Sequence, residues 1–299
     1  MKVAAIGEAM IELSMEGDHA AVGVAGDTLN TAIYLKRTAP KIRVDYVTRL
    51  GQEPFSRKIR NFIAAQRVGV DAIEHDANGT PGLYAITTDA DGERSFTYWR
   101  GHSAARKMFQ TGRGSNFGAL KDYDVLYLSG ISLAILPQET CDALLEWLVG
   151  YRSRGGRVVY DSNHRPKLWP DAATAQKVNA RMWAIADIAL PSIDDESVLS
   201  GESPDAIAAR FLKLGKTGAL KRGPSGPLCL ATGAGGDYRQ AARVVDTTAA
   251  GDSFNGGYLG ALFQGANQAE ALRAGHDLAA HVVGYKGAIV PAQSTMRMT

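Results

Sequence analysis

Apolar positions in the second half of this chain gather in short unbroken runs, separated by longer stretches of helical period. The runs at 124–130, 157–163, 188–192 and 218–223 read as strands, and 137–153, 170–184 and 203–214 read as helices. Strands apolar at every position are covered on both faces, so the pattern predicts an α/β fold with a mostly parallel central sheet. In such sheets ligands bind beyond the carboxyl ends of the strands. Ser129-Gly130, Asp161-Ser-Asn163, Pro191-Ser192 and Lys221-Arg222-Gly223 fall there.

The first hundred residues alternate instead. Residues 81–100 predict two strands around an Asp91-Gly92 turn, 1–13 a first strand, and 23–26 and 46–50 further extended pieces. Together they predict a small antiparallel β lid, built from segments near 12–26, 44–50 and 81–103. The lid is inserted in one catalytic domain spanning 1–299. Gly233-Ala-Gly-Gly-Asp237 reads as a hairpin turn between two strands.

Composition adds mostly exclusions. The chain has 299 residues, 45% of them hydrophobic and 21% charged. Its net charge is +2 with no basic stripe, so neither nucleic acid nor an anionic membrane is the expected partner. No apolar stretch approaches the ~20 residues that span a bilayer. Cys141 and Cys229 sit apart in apolar surroundings, which suits buried thiols in a reducing compartment, and the N-terminus lacks a leader pattern. A cytoplasmic protein is expected. Gly215-Lys216-Thr217 is not a phosphate-binding P-loop, because Phe211 stands where that loop needs glycine. No dinucleotide fingerprint is present either.

The segment Asp246-Thr-Thr-Ala-Ala-Gly-Asp-Ser-Phe-Asn-Gly-Gly-Tyr258 carries the chemistry. It predicts a loop over Thr248–Gly251 and a helix from about Asp252 to Gln264. Backbone amides of Ala249, Ala250 and Gly251 and the helix N-terminus then form an anion site that small side chains leave open. A carboxylate there is repelled by bound phosphate unless it takes a proton from an attacking hydroxyl. The bland alternative is an Asp N-cap before a glycine-rich packing face.

The whole segment resembles the C-terminal signature of the ribokinase-like, or PfkB-type, carbohydrate kinases. The resemblance implies a ribokinase-like fold, ATP with Mg²⁺, Asp252 as catalytic base and Ala249, Ala250 and Gly251 as the anion hole. It places Ser192, Lys221, Gly223 and Thr248 with Gly251 on the nucleotide side. Asp195 and Glu196 stand near the family's usual Asn-x-x-Glu motif and are expected to organise the metal through water. Residues 24–37 resemble the family's N-terminal signature, which assigns Gly26, Asp27 and Asn30 to the sugar; Glu12 stands where relatives carry a sugar-binding acid.

Nearly the whole chain resembles those members that phosphorylate a 2-keto-3-deoxy sugar acid. That resemblance assigns Tyr84, Tyr98, Arg100 and Arg165 to the substrate, the two arginines suiting a carboxylate. The alternatives are a kinase of the same fold for a neutral sugar such as fructose or ribose, and a catalytically silent sugar-binding protein. An exposed lid also suits a homodimer.

Overall fold

The computed structural model describes residues 1–88 and 94–292. In chain order its principal strands are β1 (Lys2–Ile6), β2 (Met10–Glu16), β3 (His19–Ala25), β4 (Arg43–Val47), β5 (Gly82–Thr88) and β6 (Arg94–Trp99). They continue with β7 (Val125–Ser129), β8 (Arg157–Asp161), β9 (Ile188–Leu190), β10 (Thr217–Leu220) and β11 (Leu228–Cys229). The principal helices are α1 (Asp27–Thr38), α2 (Pro54–Ala65), α3 (Gln138–Ser153), α4 (Ala172–Ile185), α5 (Ile193–Ser200), α6 (Pro204–Lys213), α7 (Ala250–Phe263) and α8 (Gln268–Val282).

Seven strands form the central sheet in the order β11-β10-β9-β8-β7-β1-β4. All neighbours are parallel except the edge pair β10–β11. Alternate residues of each strand enter two different cores, as apolar strands covered on both faces must. Leu126, Leu128, Val158 and Tyr160 pack in one core with α3 and α4 residues such as Leu144 and Met182. Val125, Tyr127 and Val159 pack in the other with Leu29 and Ile33 of α1 and Leu259 of α7. The strands and helices read from the second half all form, with ends shifted by at most three residues.

The second sheet has the order β3-β2-β5-β6. It is antiparallel within each hairpin, but β2 and β5 run parallel. Three expectations change here. The N-terminal apolar run is two strands, broken at Gly7-Glu8-Ala9, with β1 in the central sheet and β2 in the lid. Arg43–Val47 joins the central sheet beside β1, because all but its first residue are buried, so 44–50 is not lid. No strand follows the 233–237 turn among the described residues, so β11 is the edge of the sheet, its Cys229 amide donating only to the Ala234 carbonyl of that turn at 2.9 Å. The Asp91-Gly92 turn lies outside the described residues.

Candidate active site

A cavity of about 1480 Å³ opens between the carboxyl ends of the central strands and the lid. Gly26, Asp27, Asn30, Tyr84, Tyr98, Arg100, Arg165, Ser192, Asp195, Lys221, Gly223, Thr248, Ala249, Ala250, Gly251 and Asp252 all line it. Glu196 does not. Its carboxylate turns into the protein, accepting from Trp183 Nε1 at 3.2 Å and pairing with Arg210 at 3.0 Å. Residues one apart on helix α5 point in different directions, so Asp195 faces the cavity and Glu196 the core; its expected metal role is withdrawn.

Helix α7 begins two residues earlier than the sequence suggests, which puts Asp252 inside its first turn. Ala249 precedes the helix with φ 62°, a left-handed conformation that costs an L-residue about 1 kcal/mol. That twist frees amides for a ligand. The Ala250 amide is engaged by the Thr247 carbonyl at 3.1 Å, whereas those of Ala249 and Gly251 meet no backbone carbonyl among the described residues. Of the three amides expected to meet an anion, two are therefore left without a backbone partner. Asp246 anchors the loop, accepting from the amides of Thr248 at 2.9 Å and Gly287 at 2.8 Å.

Asp252 is buried and accepts from Asn30 Nδ2 at 2.9 Å. Burial first, and the nearby charge of Asp27 second, push its pKa well above the usual carboxylate range. Asp27 itself accepts from Ser129 and, at 2.7 Å, from Asn163. Beside this pair Lys221 Nζ reaches Asp161 at 2.6 Å and comes within 3.7 Å of where Gly251 would carry a Cβ. Asp161 also accepts from Asn255 at 2.8 Å, one turn beyond Asp252 on α7. A cation thus stands beside the Gly251 backbone, held by a buried acid.

The lid supplies the far wall. Tyr84 and Tyr98 are cross-strand neighbours with stacked rings 5.5 Å apart, so they share one face of the hairpin. Glu12 lies directly opposite Tyr84 on β2 and accepts from its hydroxyl, so it backs the tyrosine rather than lining the cavity. Neither arginine stands alone. Arg100 pairs with buried Glu8, and half-exposed Arg165 pairs with Asp195 at 3.3 Å. Burial and the neighbouring Asp161 raise the Asp195 pKa, while Lys221 and Arg165 oppose that.

The sequence placed Asp161 and Asn163 at this sheet edge without a role, and did not point to Glu8, Asp194 or the cavity's apolar end. Pro227, Ala241, Val244, Ala279, Ala280 and Val283 line that end, with His276 beside them. Among the described residues no group of three or more His, Cys, Asp or Glu side chains could hold a metal unaided, and no helix is long and apolar enough to cross a membrane.

A family model described as pfkB family carbohydrate kinase matches residues 1–295. The chain is 39% identical to 2-dehydro-3-deoxygluconokinase of Escherichia coli (strain K12), with 98% of each covered. It is 40% identical to the 2-dehydro-3-deoxygluconokinase of Dickeya dadantii, over 98% of this chain and 97% of the relative. Among solved structures it matches aminoimidazole riboside kinase from Salmonella enterica, complexed with aminoimidazole riboside and an ATP analog. That match has TM-score 0.82 and 27% identity, and covers 100% of both chains.

Proposed function

This chain belongs to the pfkB family of carbohydrate kinases, and from that premise we propose that it phosphorylates the 6-hydroxyl of 2-dehydro-3-deoxy-D-gluconate with ATP. The product is 6-phospho-2-dehydro-3-deoxy-D-gluconate. The observation that carries the reading is the buried Asp252 carboxylate beside the Ala249 and Gly251 amides and Lys221, in a cavity that Arg100 and Arg165 also line. The relatives at 39% and 40% identity support the choice of keto acid.

The adenine base occupies the apolar end near Val244, Ala279 and Val283, where flat apolar surface suits a purine. The γ-phosphoryl lies against the free amides, and Lys221 meets the charge that develops on it. Asp252 accepts the proton of the attacking hydroxyl. Arg100 and Arg165 face the carboxylate end, and Tyr84 and Tyr98 cover it, excluding water that would otherwise hydrolyse ATP. Asp195 fits a role holding the Mg²⁺ of ATP through water: its carboxylate and that of Asp161 repel one another, an imbalance a cation relieves. Bound Mg²⁺ supplies charge neutralisation to the phosphates. Val22 and Trp99 stand exposed on the lid, surface through which a homodimer would form.

A coupled assay of ADP release against a panel of keto acids and neutral sugars tests the reading. Turnover of 2-dehydro-3-deoxy-D-gluconate well above fructose and ribose is expected; preference for a neutral sugar overturns the substrate, and no ADP release with any acceptor overturns the activity.

A further inference from the structure

Glu8 sits in the bend that separates β1 from β2, with its carboxylate wholly out of solvent. One oxygen accepts from Arg100; the other meets no partner among the described residues. That second oxygen lies against Gly82, where an added Cβ would come within 2.6 Å of it. The glycine thus leaves room for the acid. A buried carboxylate with one hydrogen-bonding partner is tolerable only while that partner stays. Arg100 is therefore not a mobile surface cation. It follows directly after β6, opposite Gly82 in the continuing hairpin register, and is itself 9% exposed.

We propose that Glu8 is the positioning residue for substrate selection: it fixes the Arg100 guanidinium in the cavity wall at the angle a substrate carboxylate needs. The proposal rests on the reading that Arg100 meets that carboxylate. Glu8 engages one terminal nitrogen of Arg100, and a guanidinium has further donors in one plane for a second carboxylate. The resting pair is neutral, so an acceptor carboxylate completes an acid–guanidinium–acid row instead of meeting a bare charge. Glu8 touches no substrate; its effect travels through Arg100.

The test is a double-mutant cycle on the full chain with Glu8→Gln, Arg100→Met and both together, assayed with 2-dehydro-3-deoxy-D-gluconate and ATP. Glu8→Gln is expected to raise KM for the keto acid about tenfold or more and to leave KM for ATP within about twofold. In the Arg100→Met background the same change adds nothing to KM and recovers part of the melting temperature that Arg100→Met loses, since it removes the stranded charge. Should Glu8→Gln not fold, Glu8→Asp, which withdraws the carboxylate by one methylene, shifts the same KM in the same direction. An unchanged KM, or effects that multiply in the double variant, overturns the role of Glu8 alone. An unchanged KM in Arg100→Met overturns the carboxylate reading of Arg100 and this proposal with it.

Discussion

Asn30 and Asp252 lie 222 positions apart, yet the amide nitrogen of one donates to the carboxylate of the other at 2.9 Å. The bond favours the ionised carboxylate, against burial and the charge of Asp27, which favour the protonated form. A base must be ionised to take a proton, so turnover is expected to fall as pH drops through a value well above the ordinary aspartate range. Asn30→Leu removes a donor to the charged form and moves that acid limb to higher pH. Asp27→Asn removes a repelling charge and moves it lower. The position of the limb in kcat against pH, not its height, is the measurement; identical limbs in all three proteins would refute Asp252 as the titrating base.

Asp252→Asn keeps the shape of the site and removes the proposed base. A loss on the order of 10²–10⁴-fold in kcat is expected, with KM for ATP nearly unchanged. Stability moves the other way. A group whose folded pKa is raised stabilises the fold below its unfolded pKa, and that contribution is lost as pH rises through the folded value. At neutral pH the native enzyme therefore carries a penalty that the amide escapes. Melting temperatures at neutral pH should rank Asp252→Asn above the parent.

Lys221 has two duties that separate experimentally. In the proposed mechanism it stabilises transferred charge beside the Gly251 amide, so Lys221→Met is expected to lower kcat on the order of 10²-fold. Paired with Asp161, it also compensates a buried acid, and its loss should cost on the order of 3 kcal/mol of stability. Adding Asp161→Asn is expected to restore most of that stability, measured by urea denaturation, and none of the rate. Recovery of rate in the double variant would show that Lys221 serves only the fold.

Much of this was legible in the sequence because it is local. The apolar runs of β7 to β10 announce a covered sheet, and the 246–258 segment holds Asp252 and the neighbouring amides within a few residues. What stayed hidden depends on distance. Glu8 lies in a bend with no periodic signal, and its partner is 92 positions away. Asp161 was visible as a strand end, but its union with Lys221 needs β8 and β10 to flank β9 in one sheet. Glu196 misled because a one-residue step along a helix turns a side chain by about 100°. The 44–50 segment misled because an apolar run beside lid strands looks the same whether it joins the lid or the sheet.

The Asn30–Asp252 bond also ties chemistry to helix packing. Gly256 lets α7 lie directly on α1: a Cβ there would stand 2.4 Å from Tyr34 Cβ and 2.9 Å from the Leu35 amide nitrogen. The Leu35 nitrogen is helix backbone and the Tyr34 Cβ is fixed directly to it by its Cα, so neither can rotate aside and Gly256→Ala must part the two helices. Overpacking of this kind costs about 1–3 kcal/mol, visible in urea denaturation. Asn30 sits one turn before Tyr34 on α1, and Asp252 one turn before Gly256 on α7. Parting the helices therefore stretches the bond between them. Gly256→Ala is expected to move the acid limb of kcat upward in pH, in the direction of Asn30→Leu, although it touches neither residue. A variant that loses stability but keeps the parent's acid limb would show that Asn30 follows Asp252 when the helices separate.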